Sequence, residues 1–166
     1  MTGTAEPDLE VEVLLEDDRW EPFDLPGLAT KAAGATLEEL SLSGPFEISL
    51  LGCNDARIAA LNGEFRGKPA PTNVLSWPAE DLSAQAPGAA PEAPTDSELG
   101  DIALGFETVL REAQAEDRPP EHHILHLLVH GTLHLLGFDH EIDADAALME
   151  RIEVAALARL GVPDPY

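Results

Sequence analysis

Six histidines are present, five of them between positions 122 and 134 and the sixth at 140. His130 and His134 are four residues apart, so one turn of helix stacks their rings on the same side. Gly137 is placed to stop that helix with a left-handed cap, after which the chain can fold back and bring His140 to the same point. The string HGTLHLLGFDH at 130–140 therefore offers three imidazoles to one divalent ion and leaves a fourth position open, which is how a catalytic zinc site is built. A zinc so held lowers the pKa of a bound water to about 7 and acts as a Lewis acid.

The remaining histidines are read differently. His126 also lies four residues from His130, but the rings of His126, His130 and His134 on a straight helix spread over about 12 Å and cannot converge on one ion. His126 is assigned to packing or to support of a ligand, and His122 and His123 to satisfied positions near the helix start. Asp139 either holds a ligand histidine by its ring N–H or caps the turn. The spacing H-x-x-x-H-x-x-G-x-x-H is also the metzincin protease frame, whose general base is a glutamate directly after the first histidine. Here that residue is Gly131, so the geometry is kept and the protease chemistry is not.

A second cluster, Arg66-Gly-Lys68-Pro-Ala-Pro71-Thr-Asn73, concentrates donors in an otherwise acidic chain. Arginine suits bidentate phosphate contacts and lysine acts as a point charge, although an arginine among so many acids can equally be a paired surface group. Gly100 reads as a bulge or turn, Asp101 as a local cap, and Phe65 and Trp77 as core aromatics rather than base-stacking platforms.

The elements that must carry these residues follow from periodicity. Residues 8–16 alternate as a half-buried strand; 24–42 are helical, in one piece or two about Gly34; 46–51 form a second strand. Asn54 and Asp55 offer caps to a helix bearing Ile58, Leu61 and Phe65. Strand candidates follow at 72–77 and around Ile102–Leu104, then a helix over 108–116. Residues 121–136 are apolar nearly all round and predict a buried helix, with an amphipathic helix over 143–160 after it. Residues 79–98 hold three prolines, six alanines and five acids without a basic residue, and read as a flexible insertion.

At 166 residues with 44% hydrophobic content, the chain fits one compact globular domain, 1–166. Its formal charge of −23 excludes a uniformly basic nucleic-acid-coating protein and electrostatic adhesion to an anionic membrane. No stretch is apolar enough to span a bilayer, no secretory signal is evident, and the lone Cys53 excludes an intrachain disulfide or thiolate cage. The expectation is a cytoplasmic protein.

HGTLHLLGFDH at 130–140, with FRGKPAPTNVLSWP at 65–78 and LGDIAL at 99–104, resembles the YbeY family of bacterial rRNA maturation factors over roughly residues 45–161. The resemblance implies an α+β, zincin-like domain with a small mixed sheet, several helices and a metal site at the end of a buried helix. It implies a zinc-dependent, single-strand-specific endoribonuclease of small-subunit rRNA 3′-end maturation and ribosome quality control. One zinc per chain would sit on His130, His134 and His140, with Arg66 and His130 essential to activity. The implied partners are single-stranded rRNA, small-subunit ribosomal proteins and an assembly GTPase. The chain departs from the family pattern at Pro69, where an acid is usual, and at Trp77, where phenylalanine is common. A non-catalytic assembly factor with a structural metal, and a metallopeptidase, stand as the alternatives.

Overall fold

The structure, a computed structural model, describes residues 6–166. Four strands, β1 (Leu9–Leu15), β2 (Phe46–Cys53), β3 (Val74–Pro78) and β4 (Glu98–Gly105), form one mixed sheet in the order β1-β2-β4-β3. β1 and β4 both run parallel to β2, and β3 joins β4 antiparallel as an edge strand. Five helices complete the domain: α1 (Leu25–Glu39), α2 (Asp55–Arg66), α3 (Phe106–Ala115), α4 (Pro120–Leu135) and α5 (Asp143–Arg159).

The period-two pattern of β1 does what it predicts. Leu9, Val11, Val13 and Leu15 turn inward while Glu10, Glu12 and Leu14 stay exposed. Inward residues of β2 and β4, such as Ile48, Leu50, Ile102 and Leu104, meet α1, α4 and α5 in the main core. The opposite face is only partly covered: α2 lays Ile58 and Leu61 on Cys53, Leu75 and Ala103. α1 runs unbroken through Gly34, because Leu28, Ala32 and Leu37 on the same helix are all buried and tertiary packing outweighs a single glycine.

A short 3-10 helix over Asp18–Phe23 has no counterpart in the sequence reading. It buries Trp20 completely, edge-on to Phe106 at 5.0 Å, with the indole N–H donating to the Cys53 carbonyl at 2.9 Å. Asp101 does not cap anything: it stands exposed within β4, opposite Ser49 on one side and Trp77 on the other. Gly100 does mark a bulge, with φ of +137° where the β2–β4 register shifts beside Glu47 and Ile48. Phe65 is not core either; it is 59% exposed and packs edge-on against Trp77 at 5.6 Å.

Among the described residues no helix is long and apolar enough to cross a membrane.

Candidate metal centre

α4 is the central helix, and its burial fixes where the histidines point. Ile124, Leu128, Val129 and Leu133 are buried, which leaves His130 and His134 on the side facing a pocket. The helix ends as Gly137 implies: at φ +96°, its N–H donates to the His134 carbonyl at 3.1 Å and the Phe138 N–H to the Leu133 carbonyl at 3.0 Å. This Schellman arrangement reverses the chain over the last turn and returns His140 to the end of α4.

The three rings converge. Their centroids are separated by 4.5 Å (His130–His134), 5.3 Å (His130–His140) and 5.1 Å (His134–His140). One nitrogen from each lies within 4.8 Å of the other two, and the Nε2 atoms of His130 and His134 are 3.0 Å apart. Nitrogens about 2.0 Å from a tetrahedral zinc sit about 3.3 Å from each other, so the donor set fits such an ion. Burial, with His130 and His140 alongside, pushes His134 down to about 4, so its ring is neutral and able to ligate at pH 7.

The pocket over the cluster encloses about 620 Å³. Arg66, the last residue of α2, lines its rim together with Ser76 of β3 and Leu82. Asn54 caps the start of α2 through the Arg57 N–H at 2.8 Å, and Gly67 in the left-handed conformation ends it, so the helix presents Arg66 at a fixed place. Arg66 is exposed and forms no ion pair among the described residues, so the reading as a paired surface arginine does not hold. Carboxylates also reach the rim: Glu80, Asp81, Asp139 and Glu141. The hydroxyl of Thr95 and the backbone N–H groups of Asp96 and Thr95 hold Glu80 below the usual carboxylate range. From 79–98, Leu82 is buried against Gly137, and the Gly88 N–H donates to Asp145 at 2.8 Å.

Asp139 resolves as the turn cap, accepting from the His140 N–H at 2.7 Å. The carboxylate beside the His130 ring is instead Glu153 of α5, a residue the sequence did not single out. It lies 3.3 Å from His130 Nδ1 and 2.9 Å from His126 Nε2, and it accepts from the Tyr166 hydroxyl at 3.0 Å. Burial works to raise Glu153, but the hydrogen bonds from His126 and His130 outweigh it and hold the group at about 2. His126 thus meets the carboxylate that contacts His130 and lies outside the trio that could hold a metal. His123 is buried with its Nε2 2.9 Å from Glu112. Gly131 is packed so closely that a methyl group there would meet Ile102 and Ser76 at 3.2 Å.

Comparison with known proteins bears directly on this arrangement. The family model described as Endoribonuclease YbeY matches residues 11–161, which include the whole histidine string and Arg66. The chain belongs to the YbeY family. A YbeY endoribonuclease of Jannaschia sp. (strain CCS1) is 58% identical over 160 residues, covering 95% of this chain and 100% of that one. Another, of Paracoccus denitrificans (strain Pd 1222), is 57% identical over 156 residues, covering 94% and 89% respectively. The solution structure of TM1509 from Thermotoga maritima superimposes with a TM-score of 0.56 at 20% identity, covering 92% of each chain, and supports the α+β fold. YbeY membership reaches further toward the N-terminus than the motifs at 45–161 alone suggest, because β1 and α1 belong to the same sheet and core.

Proposed function

We propose that this chain is a zinc-dependent, single-strand-specific endoribonuclease acting in small-subunit rRNA 3′-end maturation and ribosome quality control. His130, His134 and His140 hold the metal, one per chain, and Arg66 engages the scissile phosphate. The observation that carries this reading is the meeting of three imidazole nitrogens on the floor of a pocket whose rim holds an unpaired arginine. A divalent ion bound there supplies Lewis-acid polarisation of a phosphoryl oxygen. Arg66 can offer two parallel N–H donors to the same phosphate and steady the charge that develops on it. The 79–98 segment acts as a flap within a single 1–166 domain, shutting one side of the pocket where Leu82 meets Gly137.

The protein works in the cytoplasm with small-subunit ribosomal proteins and an assembly GTPase. The charge of −23 supports dependence on such partners, since phosphate affinity comes mainly from Lys and Arg and the chain has only nine. The four rim carboxylates favour a second reading, a non-catalytic assembly factor whose metal only braces the turn after α4. A metallopeptidase is disfavoured by Gly131, which supplies no base and has little room for one.

Elemental analysis of protein purified without chelators, followed by parallel assays on fluorescent single-stranded RNA and casein, separates these readings. Arg66→Ala is expected to lower RNA cleavage by about 100-fold or more while metal stoichiometry stays near one per chain. His134→Ala is expected to lose both metal and cleavage. RNA cutting that persists in both variants belongs to a contaminant and leaves the assembly-factor reading; casein hydrolysis by the wild type would restore the peptidase.

A further inference from the structure

Glu153 lies in the middle of α5 and is 1% exposed. A carboxylate that far from water is costly unless donors surround it. Among the described residues no lysine or arginine approaches it within ion-pairing distance. Its donors are the Tyr166 hydroxyl at 3.0 and 3.1 Å, His126 Nε2 at 2.9 Å, and His130 Nδ1 at 3.3 and 3.4 Å.

Each of these contacts fixes a proton. An ionised carboxylate only accepts, so His130 must carry its hydrogen on Nδ1. Nε2 of His130 is then left with a bare lone pair, and this is the nitrogen 3.0 Å from His134 Nε2. His126 carries its hydrogen on Nε2 by the same reasoning. Its Nδ1 is then an acceptor, in keeping with that atom being buried without a partner. An unused acceptor there is tolerated better than a stranded donor.

We propose that Glu153 is the positioning residue of the metal centre: it sets the tautomer and ring plane of His130, and His126 and Tyr166 orient the carboxylate that does so. This rests on the reading of His130, His134 and His140 as a metal site. The physical logic is general. A ligand imidazole whose far N–H meets a carboxylate is held in the ligating tautomer and becomes a stronger base toward the metal. α5 contributes no ligand of its own, yet it sets the direction of the first one, so helix packing and metal affinity are linked through a single side chain.

The test uses the full chain. Zinc affinity is measured by competition with a chelating indicator for wild type, Glu153→Gln and Glu150→Gln, and the cobalt-substituted forms are compared by visible absorption. Glu153→Gln is expected to bind zinc roughly 10–100-fold more weakly, with displaced cobalt bands. Glu150→Gln removes the same charge from an exposed position on α5 and is expected to match wild type. Independently of any variant, ¹⁵N correlation spectra of the metal-free wild type are expected to show His130 protonated on Nδ1. Wild-type affinity and an unshifted cobalt spectrum in Glu153→Gln would overturn the proposal, and so would an Nε2-protonated His130. Failure of the wild type to bind zinc at all would instead overturn the metal reading beneath it, while the His130 tautomer still reports on Glu153.

Discussion

Replacing Gly137 by alanine probes the step on which the placement of His140 depends. Gly137 has φ of +96°, outside what a side chain tolerates comfortably, and the backbone term alone costs about 1–2 kcal/mol. An added Cβ would also lie 2.7 Å from the carbonyl carbon and oxygen of Leu82, atoms of the main chain that cannot rotate away. Such crowding adds about 1–3 kcal/mol. The sum, about 2–5 kcal/mol, is a large part of the 5–15 kcal/mol typical of a folded domain and corresponds to a fall in Tm of roughly 5–15 °C. Relief must come by displacing either Leu82 or the turn that carries Phe138 to His140, so zinc affinity is expected to fall at least about tenfold with it. Gly161 is an internal control. It ends α5 at φ +76° with no atom within 4 Å of its missing Cβ, so Gly161→Ala bears only the backbone cost. Its expected loss is roughly 2–6 °C with zinc affinity unchanged. The assays are thermal unfolding by circular dichroism and competition titration on both variants. Equal Tm shifts together with equal zinc affinities would refute the reasoning, because the contact with Leu82 and the placement of His140 would then contribute nothing.

Two further outcomes are expected. Burial pushes the Cys53 thiol up to about 12, so at pH 8 almost none is thiolate; a disulfide reagent should leave native protein unmodified and react fully only after denaturation. If Arg66 and Lys68 are the two phosphate contacts, the logarithm of affinity for single-stranded RNA should fall with log salt at a slope of about −1.4, reduced by about half in Arg66→Ala. A much steeper slope in the isolated protein would show that other cations carry the RNA.

The sheet, the buried α4 and the meeting of three histidines were legible in the sequence because each rests on short-range regularity. Alternation wrote β1, an apolar surround wrote α4, and a four-residue step followed by a glycine stop wrote the convergence of His130, His134 and His140. Glu153 was not legible, since it is one acid among 32 and its meaning comes from α5 packing against α4, 23 residues after His130. The same limit explains Asp101. Its own neighbourhood suggested a cap, and only strand register shows that Asp101 faces out of the sheet between Ser49 and Trp77. Trp20 escaped for a related reason: its partners, Phe106 and the Cys53 carbonyl, lie far along the chain, and six residues of 3-10 helix carry no readable period.

The same geometry bears on how an acidic protein would present the phosphate site proposed above. Ser76 and Trp77 are neighbours on β3 but face opposite sides of the sheet, Ser76 toward Gly131 and the metal pocket, Trp77 toward Phe65. Arg66, the last residue of α2, lines the same pocket as Ser76 and His130, although α2 packs Ile58 and Leu61 on the other face of the sheet. Opposed to the rim carboxylates, Arg66 would give weak attraction for a polyanion in general but a strong local field at one phosphate placed beside His130, His134 and His140. On the proposed function, selectivity for a delivered strand over bulk RNA would need no basic surface, because the acidic body repels any phosphate that the proposed partners have not placed.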